Sequence, residues 1–210
     1  MTNAVHVKGN FSATTNTGTT GTLIVNGTGS QSWTGTAGIR LNLQINKPSG
    51  TLTLGSSISF NTSTLTYIAG TVDATGSTLT VAASSTFNTN GMTWNIFNPT
   101  AGTMTFTSLL SANTITLPNN TLTFAGSAGF TCNTLNHATL SATRTYTFGA
   151  SNNYIVNTSI VLNSTFAINL TSSSATLRAN LTVPNTATQN IRNTNATRID
   201  SSGGETIYTS

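Results

Sequence analysis

The strongest constraint on this chain is a short alternating motif that keeps returning. Thr51-Leu52-Thr53-Leu54, Thr78-Leu79-Thr80-Val81, Thr103-Met104-Thr105-Phe106, Thr121-Leu122-Thr123-Phe124 and Thr145-Tyr146-Thr147-Phe148 all read Thr-Φ-Thr-Φ, with Φ apolar. In four of them two small residues follow, and an aromatic ring (Phe60, Phe87, Phe130 or Tyr154) stands nine positions after the first threonine. A period of two belongs to a strand with one buried face. It recurs in Leu41/Leu43/Ile45, Ile115/Leu117, Phe166/Ile168/Leu170 and Leu181/Val183, and helical spacing is nowhere sustained. The copies start 18–27 residues apart, which suits one supersecondary unit per repeat.

Such a pattern predicts an all-β fold. Its expected form is a β-solenoid, or parallel β-helix, of short strands with irregular 18–27-residue coils. Each Φ then points inward and stacks on the Φ of the next coil, about 4.8 Å away. Asn-Thr recurs after the rings, as Asn61-Thr62, Asn88-Thr89, Asn133-Thr134 and Asn157-Thr158. Asparagine tolerates left-handed φ and its amide can bond the same amide one coil up, so Asn ladders are expected at corners. The alternative architecture is a Thr-rich β-sandwich. Three segments follow: an N-terminal arm or cap over 1–22, a solenoid body over 23–183, and a C-terminal cap or docking segment over 184–210. In the last, regular alternation stops and Arg192, Arg198, Asp200 and Glu205 gather, as suits a unit that covers the final apolar layer.

Composition narrows the function classes. Thr, Asn and Ser number 47, 26 and 24, and only 5% of the 210 residues are charged, against about 25% in an average domain. A helical protein would need Ala, Leu, Glu, Lys and Arg on its surfaces. Disorder would need more charge than a net +4 and less than the 36% hydrophobic content found here. The seven cations, Lys8, Arg40, Lys47, Arg144, Arg178, Arg192 and Arg198, form no basic run, so no nucleic-acid partner is expected. No apolar stretch approaches the 18 residues of a membrane span. Cys132 stands alone, which excludes an intrachain disulfide and a cysteine metal site and suits a small core residue. The start, Met1 to Lys8, lacks the apolar stretch of a signal peptide, so with residue 1 as the native start synthesis in the cytosol without secretory export is expected.

Catalytic chemistry has few candidates. The histidines are His6 and His137, and the acids are Asp73, Asp200 and Glu205. Asp200 and Glu205 flank Ser201-Ser202-Gly203-Gly204, which reads as a hairpin turn rather than as a glycosidase pair. His137 reads as a turn or surface residue, and Asp73 has no acidic neighbour for calcium. The chain is therefore expected to be no enzyme, with no catalytic residues, no metal and no cofactor. If the copies stack, Thr51/Thr53, Thr78/Thr80, Thr103/Thr105, Thr121/Thr123 and Thr145/Thr147 form two outward ranks on one face. That arrangement resembles the Thr-x-Thr arrays of β-solenoid ice-binding proteins, although threonine is also the default polar strand residue. Trp33, Tyr67 and Trp94 are candidate glycan-stacking rings, and Arg192, Arg198, Asp200 and Glu205 are candidate partner-docking residues.

Several stretches carry a resemblance. They include Gly27 to Gly35 (GTGSQSWTG), Leu43 to Leu52 (LQINKPSGTL), Thr66 to Leu79 (TYIAGTVDATGSTL) and Arg198 to Gly204 (RIDSSGG). They resemble β-rich virion proteins of tailed bacteriophages and, more weakly, repeat regions of bacterial surface adhesins. The resemblance implies a virion structural component such as a tail fibre, spike or capsid-surface decoration. It further implies a homo-oligomer, trimeric or higher, that contacts other virion proteins and host-surface glycans at the virion surface or in another extracellular assembly. A bacterial extracellular adhesin or filament subunit is the alternative, and an ice-binding protein the third reading.

Overall fold

The computed structural model describes residues 4–12, 21–34, 38–39, 42–55, 58–60, 64–81, 85–89 and 92–201. Every regular element in them is a strand. The first coil holds β1 (Ala4–Val7) and β2 (Phe11–Ser12), and the second β3 (Thr22–Val25), β4 (Gln31–Thr34) and β5 (Gly38–Ile39). β6 (Asn42–Leu54) and β7 (Ile58–Phe60) make the third, and β8 (Thr64–Val81) alone makes the fourth. β9 (Ser85–Asn88) and β10 (Thr93–Pro99) follow, then β11 (Gly102–Phe106) and β12 (Leu110–Leu117), then β13 (Leu122–Gly126) and β14 (Phe130–His137). The eighth coil is β15 (Arg144–Phe148) and the first part of β16 (Asn153–Ser172). The end of β16, β17 (Ala179–Thr182) and the start of β18 (Thr188–Thr197) make the ninth, and β19 (Ile199–Asp200) begins beyond it.

All pairings are parallel, between segments 18 to 29 residues apart, as in Phe97 with Leu79 and Leu162 with Ile191. The result is a β-solenoid of about eight complete turns with three faces. Face A runs through β1, β3, the starts of β6 and β8, β9, β11, β13, β15 and the ends of β16 and β18. Face B runs through β2, β4, the end of β6, the middle of β8, the starts of β10, β12, β14 and β16, then β17 and β19. Face C takes β5, β7 and the remaining stretches up to the start of β18.

The alternation does what a period of two requires, with inward residues buried and outward ones at least partly exposed, as in the pattern of β13 or β17. One column inside face A reads Leu23, Leu43, Leu65, Phe87 and Phe106. Phe130 and Tyr154, two of the rings that follow Thr-Φ-Thr-Φ, pack against Phe124 and Phe148 of the motif itself. Phe124 has Phe106, Phe130 and Phe148 at centroid distances of 5.8, 5.2 and 5.4 Å, and Tyr154 sits 4.9 Å from both Phe130 and Phe148. Such ring pairs add about 0.5–1.5 kcal/mol each beyond the area they bury.

The corners are polar and differ in kind. The B–C corner is a bend of one or two residues occupied by Asn95, Asn113, Asn133 and Asn157. The Nδ2 groups of Asn113, Asn133 and Asn157 donate to the Oδ1 of the asparagine one coil back, at 3.4, 2.9 and 3.5 Å. This is the expected Asn ladder, and Asn133 and Asn157 belong to it. Asn88 instead pairs with Thr66 inside a strand, and Asn61 lies outside the described residues. At the A–B corner a long or amide side chain clamps two carbonyls of the coil before it. Gln31 Nε2 donates to Val7 O and Gly9 O, Lys47 Nζ to Gly27 O and Gly29 O, and Asn152 Nδ2 to Gly126 O and Ala128 O.

Two boundaries differ from the sequence expectation. β1 already pairs with β3, and β18 continues the stack on β16, so coils occupy parts of 1–22 and of 184–210. The alternation of 188–197 is hidden because its inward positions include Gln189, Thr194 and Ala196 beside Ile191. The first two copies of Thr-Φ-Thr-Φ, at Thr51 and Thr78, also do not stack on one another. Thr51 and Leu52 lie beside Thr71 and Val72 on face B, whereas Thr78 and Leu79 lie beside Ile96 and Phe97 on face C. Every face needs the same outward Thr and inward Φ, so motif similarity does not identify which face a segment joins.

Candidate functional site

The strands place one long rank of hydroxyls on face A. Thr103, Thr123, Thr147, Thr171 and Thr197 are successive pairing partners, about 4.8 Å apart per step. Thr171 and Thr197 stand outside the repeated motif, because their segments read Leu170-Thr171-Ser172 and Ala196-Thr197-Arg198. A second, shorter rank beside it holds Thr64, Thr86 and Thr105 and ends at Ala125. Thr145 lies beside Asn169, and Thr121 is exposed just ahead of β13.

The other four expected members are elsewhere. Thr51 and Thr53 neighbour Thr71 and Asp73 on face B, and Thr78 and Thr80 neighbour Ile96 and Asn98 on face C. The ten threonines therefore do not form two ranks on one face. The sequence register of Thr103 against Thr121 is two residues off the true partner, Thr123, because two further residues complete that coil.

The aromatic candidates are corrected by burial. Trp33 and Trp94 are 2% and 1% exposed, so neither ring offers a face to a sugar. Trp33 points inward beside Leu54 and stacks on Phe11 at 4.9 Å. Trp94 stacks between Ala74 and Ala112, small residues that leave room for an indole. Its Nε1 has no hydrogen-bond partner among the described residues. Tyr67 is half-buried against the core, and its hydroxyl donates to Gly70 O at the next corner.

The charged candidates are spread over the end of the stack, in the ninth coil and just beyond it. Arg192 stands beside Asn163 on face C, Arg198 occupies the turn before β19 with φ 57°, and Asp200 stands beside Asn180 on face B. Glu205 lies outside the described residues. Other titratable groups serve the scaffold. Asp73 accepts hydrogen bonds from the Thr75 amide and hydroxyl at 3.1 and 2.6 Å, which hold its carboxyl below the ordinary range. His137 bridges Ala138 O and Asn163 O, and His6 meets Asn26. Burial pushes the Cys132 thiol up to about 12. Lys47 is the feature that sequence reading missed, since a lone lysine looks like a surface charge. It is 1% exposed, and burial lowers its pKa. Among the described residues no group of three His, Cys, Asp or Glu side chains is placed to hold a metal, and no helix is long and apolar enough to cross a membrane. No family model, curated protein or solved structure matches the chain.

Proposed function

We propose that this chain is a non-enzymatic structural protein of a bacteriophage virion: a β-solenoid rod serving as a fibre, spike or capsid-surface component in many copies. Such a part must be stiff and must grip host surfaces through many weak contacts. The observation that carries the reading is the unbroken parallel stacking from β1 to β19, with the five-threonine rank and the Asn ladder running along its outside. Each inner coil is held by backbone hydrogen bonds to the coils before and after it, which stiffens the rod. Uncharged hydroxyls and amides repeated at strand spacing offer many equivalent hydrogen-bonding groups. Multiple copies turn such weak contacts into avidity.

The test is the chain's location. An antibody against it should decorate purified phage particles, and the chain should co-sediment with them through a density gradient. Recovery only from the envelope or medium of uninfected bacteria would overturn the virion reading in favour of an extracellular adhesin or filament. The five-threonine rank on face A favours one further reading, ice binding. Thermal hysteresis in a solution of the purified chain would support it, and its absence would remove it.

A further inference from the structure

We propose that the A–B edge of coils six to nine is a binding site for an oligosaccharide laid along the rod. The inference rests on the adhesive role above and names its ligand class and its place. The corners on this edge are three residues at Thr107–Leu109 and at Ser127–Gly129, four at Gly149–Asn152 and six at 173–178. Between the short and long corners lies a pocket of about 230 Å³. That is below the range of about 300–1,000 Å³ typical of drug-sized ligands, and it suits a single sugar ring.

The lining has the chemistry a sugar needs. Leu109, 47% exposed, forms one wall, and small Ala128 and Gly129 form the floor. Gly129 admits no side chain, because a Cβ there would meet the Asn153 carbonyl. Opposite Leu109 stand Ser151 and Asn153. The hydroxyls of Ser127 and Ser151 and the Nδ2 of Asn153 make no hydrogen bond to other described residues. Hydroxyls give and accept, and an amide NH₂ gives twice, which matches neighbouring sugar hydroxyls. None of these groups is charged.

The walls are fixed in advance, which reduces the ordering cost of binding. Asn153 Oδ1 is held by Asn180 Nδ2 at 2.9 Å. The Asn152 clamp holds Gly126 O and Ala128 O at 3.1 and 3.2 Å. Ser151 adopts φ 64°, and its amide donates to Arg178 O at 2.7 Å. One coil further on the same edge Leu177 is 55% exposed. Leu109 and Leu177 are three coils apart, about 14 Å, so two apolar stations bracket a polar pocket as alternating faces of a short glycan chain require.

The experiment is saturation-transfer NMR of the purified full chain with neutral tetrasaccharides of glucose, mannose, galactose and N-acetylglucosamine. Transfer to at least one of them is expected. S127W, which fills the pocket, and L109D should each weaken that binding tenfold or more. T158W, on the B–C corner, should leave it unchanged. Circular dichroism and a urea midpoint establish that each variant is folded. If no tetrasaccharide receives transfer at millimolar concentration, or if folded S127W and L109D bind as tightly as the parent, the proposal fails. Loss of self-association in L109D without any sugar binding would instead assign the edge to a second copy of the chain and also overturn it. The result is independent of particle labelling: a chain absent from virions can still bind sugar here, and a virion protein can fail to.

Discussion

Lys47 shows how a charge is accommodated inside this rod. Its ammonium has three protons, and Gly27 O, Gly29 O and Gln31 Oε1 accept them at 2.9, 2.8 and 2.6 Å. K47M keeps the stem but takes the donor from Gly27 O and Gly29 O and leaves Gln31 Oε1 with only the Gly27 amide, so a loss of about 1–3 kcal/mol is expected in urea denaturation. Trp94 is the opposite case. Its indole Nε1 is buried without a partner among the described residues, so W94F removes an unsatisfied donor at the expense of some ring volume. The two effects oppose each other, and its urea midpoint should fall far less than that of K47M. Cys132 gives a third test. With the thiol buried and pushed up to about 12, almost no thiolate exists in the native rod at pH 8. A thiol-specific reagent should label Cys132 only as fast as the chain unfolds, and labelling at a free-thiol rate in native buffer would contradict its place in the core.

At the scale of the element, the strands were largely legible and the coil register was not. Thr-Φ-Thr-Φ followed by small residues reports a half-buried strand with a turn, and β13 and β15 lie where that motif falls. The same physical demand acts on all three faces, so Thr51 and Thr78 look equivalent in sequence although they join different faces. β18 escaped notice because its inward positions are partly polar. The corner devices were half legible. Asn133 and Asn157 stand three residues after a ring, at Phe130 and Tyr154, and before a threonine, whereas Asn113 has the threonine but Leu110 in place of the ring, and Asn95 directly follows Trp94 and precedes Ile96. The ladder predicts that N133A, which loses the bonds to Asn113 and Asn157 at 2.9 and 3.5 Å, destabilises the rod more than N157A, which loses only the longer one. The difference should be about 1 kcal/mol, read from paired urea melts.

For the whole molecule, burial of ionisable phenols sets an alkaline limit. Tyr146 donates to Pro118 O at 2.6 Å, and desolvation raises its hydroxyl to about 12; Tyr154 is shifted upward by the same cause. Between about pH 10, where tyrosines of an unfolded chain ionise, and pH 12 the folded rod holds protons that the unfolded chain releases. Stability is therefore unaffected by these groups below pH 10 and falls as pH rises through that window; a urea midpoint that stays level from pH 10 to 12 would contradict the burial of both rings. The central claim is the stacking register itself, since the Thr rank, the Asn ladder and the proposed edge site all depend on it. It is tested most directly by paired cysteines. Adjacent strands about 4.8 Å apart lie within the Cα range of a disulfide, about 4.4–6.8 Å. T123C/T147C, neighbours on face A, should close an intramolecular disulfide under mild oxidation, and T51C/T78C, on different faces, should not. Ready crosslinking of T51C/T78C with none in T123C/T147C would contradict the register and the surfaces built on it.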